Sequence, residues 1–512
     1  MISLFWPEDT MTYEDVCTIP EPSFFRDLNL DQYAAEWAES YDDRELIPYF
    51  YCEAKSYDVA KYRQEVIRDL SDPEISEIID DFVSKIGEAV RCRQCADNVL
   101  EASQKYKWNT DCILQYYQAM EDLCVAFNRV PPKSRAFYAL HQELFRLLNT
   151  SAVRRLRVTA KTIHDEFEKM RFHISINKDK ATFDLSYNPA DYCAPLRLAL
   201  ANTIAEDEVF VPFRDHPFPA MDVSPLESFI LKQLEKENRQ VFLQLTSFGE
   251  RCGNVLSQDV LDLLREIRFF RDNLNFLNKM KDEGLPIVMP LLVKDKELYL
   301  DNCYDFVLAL RNTKAKREVI LNDIMKANFE KAIIVTGPNQ GGKTTLARAF
   351  GQCFYFGMMG LPVPAGVCKL PYITNIFTHF ANEEGADGVD GRLANEITRI
   401  RDMLSQVDHR SIVILNELFT SAPTIDALAM SRDLLKRLLA NNAICFYVTH
   451  TYEIALDSED YVSLVATVVE DGTCRRTYRI VRKRADGVAY ANSIVSKYKL
   501  DYSHINYRLH RK

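Results

Sequence analysis

The sequence lacks any apolar run close to the ~20 residues that a helix needs to cross a bilayer. Its first ten residues lack the basic stretch and apolar core of a signal peptide. Glycine is scarce, with 16 among 512 residues, whereas 47% of the residues are hydrophobic and 27% are charged. These figures exclude a fibrous or low-complexity chain and are typical of a globular protein with roughly two to four domains. We therefore expect a cytoplasmic protein with no membrane partner.

The cysteines form no pattern that indicates disulfides or a metal site. There are 13 of them, an odd number, and they are scattered along the chain. One C-x-x-C pair, Cys92 to Cys95, lies in helical sequence without the second pair that a zinc site needs. This favours reduced structural cysteines. The net charge of −11 argues against a uniformly basic nucleic-acid surface but leaves room for a local one.

The first half of the chain has mainly helical patterns. Asp72-Pro73 opens a helix with apolar residues at helical spacing, and another helix follows Pro131-Pro132. Alternation of apolar and polar residues over 172–187 predicts a hairpin. We predict a mostly α-helical core or lever domain over residues 1–284, with this small β-hairpin inserted. Its aromatic-rich first 50 residues are expected to pack on the helical block.

A run of basic residues lies on the helix that follows Pro131-Pro132 or on its continuation. It comprises Arg154, Arg155, Arg157, Lys161, Lys169 and Arg171. One interpretation is an ordinary solvated face, and the other is a stripe that contacts the phosphates of duplex DNA.

The second half, residues 285–512, alternates short apolar runs with helical segments. This alternation of strand and helix patterns predicts an α/β domain with a doubly wound sheet. The runs predicted as strands are Ile287–Leu292, Ala332–Val335, Ile412–Leu415, Ile444–Val448 and Tyr461–Val469.

A glycine-rich loop follows the second of these runs. It matches the pattern G-x-x-x-x-G-K-[ST], with a strand before it and a helix after it. Its residues are Gly337, Pro338, Asn339, Gln340, Gly341, Gly342, Lys343, Thr344 and Thr345. Backbone N–H groups and the start of the helix would bind phosphate oxygens. Lys343 would pair with the β- and γ-phosphates and the Thr344 hydroxyl would bind Mg²⁺. The loop predicts binding of a nucleoside triphosphate.

Polar residues end two further strands. Glu417 stands where phosphate-loop ATPases place the carboxylate that polarises the attacking water, and His450 where a histidine senses the γ-phosphate. Asn416 stands at the usual position of the Mg²⁺-binding acid and brings no charge. We expect weaker Mg²⁺ binding or slow hydrolysis. Asp426, which opens a helix, is a candidate contact across a dimer interface.

These residues resemble the ATPase domain of the MutS family of DNA mismatch-repair proteins. The resemblance covers residues 285–500 and lies in T-G-P-N-Q-G-G-K-T-T, I-L-N-E-L, T-I-D and T-H. It implies a MutS/ABC-like P-loop ATPase domain that hydrolyses ATP with Mg²⁺. Lys343, Glu417 and His450 would be catalytic. Val319 would line the adenine pocket, where the family usually has an aromatic residue.

The resemblance also implies a homodimer through the ATPase domain, with DNA binding controlled by ATP and linked to mismatch repair or related DNA processing. The hairpin would be a reduced DNA clamp. We expect a short form of the family, because this sequence has neither room nor pattern for the mismatch-binding and connector domains. The serine-bearing stretch that reaches the partner's γ-phosphate is poorly matched by 391–396, where Arg392 is an alternative contact. An ATP-gated scaffold or an RNA- or ribosome-associated protein that has lost DNA binding is the competing hypothesis.

Overall fold

The computed structural model describes residues 2–8, 11–170, 172–177, 180–184, 225–253, 256–380, 389–468 and 476–485. The chain divides into two compact units. One comprises residues 1–71, 134–136 and 265–512, and the other comprises residues 72–133 and 137–264. Within the described ranges, no helix is both long and apolar enough to cross a membrane.

The helices are α1 (Tyr13–Cys17), α2 (Leu30–Tyr41), α3 (Tyr57–Leu70), α4 (Pro73–Asn98), α5 (Ala102–Arg129), α6 (Arg135–Asn149), α7 (Ser151–Lys169), α8 (Pro225–Glu237), α9 (Arg239–Arg251), α10 (Gln258–Asp282), α11 (Phe306–Lys314), α12 (Lys343–Met359), α13 (Val389–Leu404) and α14 (Thr424–Ala440). Two 3₁₀ helices cover Arg44–Tyr51 and Tyr452–Leu456. The strands are β1 (His173–Asn177), β2 (Lys180–Asp184), β3 (Leu291–Val293), β4 (Leu298–Cys303), β5 (Asn322–Lys326), β6 (Ala332–Thr336), β7 (Val367–Pro371), β8 (Asn375–Phe380), β9 (Ser411–Asn416), β10 (Ile444–Val448), β11 (Tyr461–Val468) and β12 (Arg476–Arg482).

The second unit is built on long helices. The Asp72 side chain accepts the N–H of Glu74, and Pro73 occupies the first turn of α4, where its missing N–H costs nothing. Buried residues at helical spacing, among them Ile75, Ile79 and Phe82, form the apolar face of this helix. Helix α4 packs against α5, which also contacts α7 and α9. The helix predicted to open at Asp72-Pro73 is therefore present.

Two antiparallel strands lie within the stretch predicted as a hairpin. Strands β1 and β2 pair from His173 opposite Asp184 to Asn177 opposite Lys180. Residues 185–187, the end of the predicted hairpin, lie outside the described residues. Its role as a clamp stays a prediction.

A six-stranded sheet forms the centre of the first unit. The strand order is β12-β11-β6-β10-β9-β8. Strands β8, β9, β10, β6 and β11 are parallel, whereas β12 is antiparallel to β11. Four of the strands predicted from the apolar runs are present here, as β6, β9, β10 and β11.

The predicted strand over 287–292 is shorter in the structure. Strand β3 begins only at Leu291 and belongs to a separate sheet with the order β3-β7-β4-β5. Val288 makes an isolated bridge to Val363. Pro290 interrupts the run because it has no N–H to donate to a neighbouring strand.

Helices pack on both faces of the six-stranded sheet. The Phe446 ring in β10 stacks on Phe350 of α12, with ring centroids 4.5 Å apart. Successive strand residues point to opposite faces, so Tyr447 points to the other side. There the Tyr447 hydroxyl lies 2.8 Å from the Ser431 hydroxyl of α14, within a buried cluster that includes Leu438. This layering places the carboxyl ends of the parallel strands beside the start of α12.

The first 71 residues belong to the same unit as the sheet, which the sequence analysis did not predict. Three side chains of α12 donate hydrogen bonds to main-chain carbonyls of these first 71 residues. Arg348 donates to the Asp27 carbonyl (3.1 Å), Gln352 to the Leu28 carbonyl (2.9 Å) and Tyr355 to the Phe50 carbonyl (2.6 Å). The compact units therefore do not coincide with the boundary predicted at residue 284.

Candidate functional site

The glycine-rich loop joins the fully buried strand β6 to the start of α12. Gly337 has a φ of 123° and Gly342 a φ of 93°, in the left-handed region that favours glycine. A Cβ atom on Gly337 would also lie 2.9 Å from the Cβ of Ala466. Both the backbone and the available space therefore require glycine at 337. The first N–H groups of α12 have no acceptor within the helix and can bind an anion.

The Lys343 ammonium group is held inside this loop. The residue is only 3% exposed. Its Nζ donates to the carbonyls of Gly337 (3.2 Å) and Pro338 (3.1 Å), and lies 3.8 Å from Glu417 Oε1. Burial lowers the pKa of Lys343, and the Glu417 carboxylate opposes this effect. Phosphate oxygens would be stronger partners for this cation than neutral carbonyls.

Thr344 and Asn416 lie together, at the predicted Mg²⁺ position. The Thr344 hydroxyl donates to the Asn416 amide oxygen at 3.1 Å. Oxygen ligands suit Mg²⁺, which usually retains several waters and binds phosphate oxygens and one or two carboxylates. The two side chains therefore fit the ion, although both are neutral. Among the described residues, no cluster of three or more His, Cys, Asp and Glu side chains could hold a metal.

Glu417 lies one residue beyond β9, and its carboxylate faces the side chains of Lys343 and His450. Its N–H donates to the Val448 carbonyl at 2.9 Å, and its Oε1 lies 2.9 Å from His450 Nε2. The hydrogen bond with His450 lowers the pKa of Glu417, and burial partly opposes this. The carboxylate is therefore ionised at neutral pH and can accept a proton.

A cleft of about 470 Å³ opens beside the loop. Seven predicted site residues contribute to its lining: Val319, Gln340, Gly342, Lys343, Thr344, Thr345 and Glu417. The structure thus brings Val319, the predicted adenine-binding position, and the glycine-rich loop to one cavity.

Other residues of the lining were missed by the sequence analysis. They include Tyr304, Asp305, Leu308, Asn312, Arg317 and Tyr478. Asp305 caps α11 by accepting hydrogen bonds from the N–H groups of Val307 and Leu308. Such a residue in a sequence predicts where a helix begins, but it does not predict that this helix lies beside the glycine-rich loop. No pattern in the sequence distinguishes Tyr478. It reaches the cleft because Asn322 bonds both its carbonyl (3.2 Å) and the Ile480 N–H (2.7 Å).

Some predicted residues do not line the cleft. Asn339 is exposed at the tip of the loop. His450 reaches the site through Glu417. Asp426 is exposed in the first turn of α14, and the side chain of Arg392 lies outside the described residues.

The basic run on α7 is accompanied by acids. Arg157 pairs with Glu121 of α5. Lys161 lies 2.8 Å from Asp165, and Lys169 lies 2.7 Å from Glu166. Among the arginines of the run that the structure describes, exposed Arg154 and Arg155 have no ion pair with an acid, and Arg171 lies outside the described residues. The pairing reduces the charge that this face offers to phosphates.

Comparison with known proteins gives matches in the C-terminal half of the chain. Residues 333–499 match the family model of MutS domain V. The chain is similar to Endonuclease MutS2 of Enterococcus faecalis, with 27% identity over 48% of this chain and 32% of the relative. Similar matches are Endonuclease MutS2 of a Geobacillus species (24% identity, 48% and 30%) and of Ligilactobacillus salivarius (26% identity, 38% and 24%). The matched region thus spans less than a third of each relative's length.

Proposed function

The C-terminal half of this chain is MutS-related, and we propose that the protein is an ATPase of the MutS type that binds double-stranded DNA under the control of ATP. One observation carries the proposal. The Glu417 carboxylate lies between Lys343 and His450, beside the Thr344–Asn416 oxygen pair and in the lining of one cleft. This combines a phosphate-binding cation, a metal-binding position and a base.

Each residue has a distinct proposed role. Lys343 and the loop N–H groups bind the β- and γ-phosphates, and Val319 contacts the adenine. Glu417 accepts a proton from the attacking water, and His450 holds this carboxylate and senses the γ-phosphate. Thr344 and Asn416 would hold Mg²⁺, which neutralises phosphate charge when bound. Hydrolysis gives ADP and phosphate.

We further propose that two copies associate through the ATPase domain and that ATP shifts the dimer between open and closed states on DNA. The proposal includes a role in mismatch repair or related DNA processing, which the similarity to the MutS family supports. Exposed Asp426 in the first turn of α14 is the proposed contact with the second copy.

DNA binding can be tested by fluorescence anisotropy with linear duplex, mismatched duplex, branched DNA and RNA. Each would be titrated with and without ATP over a series of salt concentrations. We expect duplex binding that depends on ATP and weakens with salt. If the ATP-loaded protein has no affinity for any DNA at low salt, the clamp function is wrong.

Replacement of Arg154 and Arg155 by glutamine should make DNA binding less salt-dependent if α7 contacts phosphates. We expect the slope of log affinity against log salt to fall by about 2, or about 1 for each lost phosphate contact. Arg157→Gln is the matched control, because its guanidinium already pairs with Glu121. If all variants keep the wild-type slope, the solvated-face interpretation is correct.

The acids along α7 are also compatible with the second candidate function, an ATP-gated scaffold or an RNA- or ribosome-associated protein that has lost DNA binding, because neither requires this face to follow a DNA duplex. A face on which Arg157, Lys161 and Lys169 pair with acids needs no duplex partner. Binding of RNA without DNA in the same titrations would support this alternative.

Asn416→Asp tests the proposed Mg²⁺ position. An added negative charge beside the Thr344 hydroxyl should lower the Mg²⁺ concentration needed for half-maximal hydrolysis by about tenfold, or about 1.4 kcal/mol. Turnover should rise as well. The measurement is phosphate release across a Mg²⁺ series, with nucleotide affinity in EDTA as the control. Unchanged Mg²⁺ dependence and turnover would show that Asn416 does not limit the site.

A further inference from the structure

The turn after β9 carries two residues in a strained backbone conformation. Glu417 has a φ of 56° and Phe419 a φ of 58°. Residues other than glycine rarely adopt this region, and they remain there only when the surrounding structure holds them. The contacts that hold this turn therefore determine where the Glu417 carboxylate points.

Two N–H groups of the turn are anchored by residues outside it. The Glu417 N–H donates to the Val448 carbonyl at the end of β10. The Phe419 N–H donates to Oε1 of Glu396 on α13, at 3.0 Å. The Glu396 side chain is 14% exposed, and His379 Nε2 of β8 lies 3.5 Å from the same oxygen. One carboxylate thus joins β8, α13 and the catalytic turn.

We propose that Glu396 is a positioning residue for the base. Through the Phe419 N–H it fixes the turn so that Glu417 faces Lys343 and His450, and it makes hydrolysis depend on the position of α13. The inference rests on the proposed function, because that function makes Glu417 the base. To hold the turn, residue 396 must accept a hydrogen bond from the Phe419 N–H. The amide oxygen of glutamine can accept this bond, whereas the sulfur of methionine is only a weak acceptor.

The test compares Glu396→Met, Glu396→Gln and Thr398→Ala by steady-state hydrolysis and by ATP affinity. Methionine retains much of the volume of glutamate and its helix propensity, so the fold should survive. We expect Glu396→Met to lower kcat by about 10- to 100-fold, as small displacements of reacting groups do, with the Kd for ATP changed by less than about threefold. Glu396→Gln should retain wild-type kcat. Thr398 is the control on the same helix, because its exposed hydroxyl bonds the Ala394 carbonyl of α13 itself.

The decisive comparison is made in a Glu417→Gln background. There Glu396→Met should lower kcat no further, because both changes act through one carboxylate. Wild-type kcat in Glu396→Met would overturn the proposal, and so would a parallel loss of ATP affinity or failure of glutamine to restore kcat. If Glu417→Gln alone hydrolyses ATP at the wild-type rate, the part of the proposed function that makes Glu417 the base is wrong, whatever the Glu396 variants do.

Discussion

Replacement of Glu417 by glutamine is expected to lower ATP turnover by about 100- to 1000-fold while leaving ATP affinity within about threefold. Glutamine cannot accept the proton of the attacking water, because its amide is not basic. It retains an oxygen that can bond His450 Nε2, so the side chain should stay in place. Loss of the charge near Lys343 leaves that ammonium group free to bind phosphate. The expected phenotype is a protein that binds ATP and does not cleave it.

Single-turnover phosphate release and equilibrium binding of ATP measure the two effects separately. Asp433→Asn is the matched control, because Asp433 is an exposed acid that pairs with Arg437 on the same helix, α14. It should retain wild-type turnover. Turnover of Glu417→Gln within threefold of the wild type would show that another group acts as base, and the site assignment would then be wrong.

The parts of this site that could be predicted from sequence are contiguous or lie at strand ends. The loop from Gly337 to Thr345 is a single stretch with a fixed pattern of residue types. Asn416, Glu417 and His450 were predictable because parallel strands end at the same edge of a sheet, and β9 and β10 are neighbours in register. In the structure the Thr344–Asn416 and Glu417–His450 contacts join these separate stretches.

The parts that were missed depend on contacts between distant stretches. Glu396 bonds a backbone N–H in another element, and Tyr478 reaches the cleft through Asn322, so neither has a local pattern. The aromatic-rich N-terminal stretch was predicted to be packed, but periodicity does not say against which partner. The hydrophobic effect is non-directional, so an apolar residue in the sequence does not indicate which element will cover it. The tertiary structure is needed to show that Phe25 and Tyr33 pack on α12.

The same N-terminal stretch leads to the second prediction. A fragment of residues 285–512, cut at the boundary predicted from sequence, is expected to be insoluble or unfolded. In α12, 14 of the 17 residues are buried, and Tyr355 and Phe356 pack against Phe25 and Tyr33 at ring distances of 5.9 and 5.0 Å. Exposure of two such aromatic side chains costs about 3–6 kcal/mol, a large part of the roughly 5–15 kcal/mol by which a domain is stable. Gln352 and Tyr355 would also lose their carbonyl acceptors.

A variant that lacks residues 72–264 instead, with residues 71 and 265 joined by a flexible linker, provides the comparison. It keeps the stretch that covers α12 and should therefore show cooperative thermal unfolding and bind ATP with an affinity close to that of the full chain. The decisive measurement is the melting temperature of both proteins with and without ATP, because binding to the folded state raises it. If the 285–512 fragment melts cooperatively at the temperature of the full chain, the N-terminal residues are dispensable and the boundary at 284 is correct. If the 285–512 fragment does not melt cooperatively while the internal deletion variant does, then helix α12, which follows the glycine-rich loop, depends on the first 71 residues of the chain for its fold.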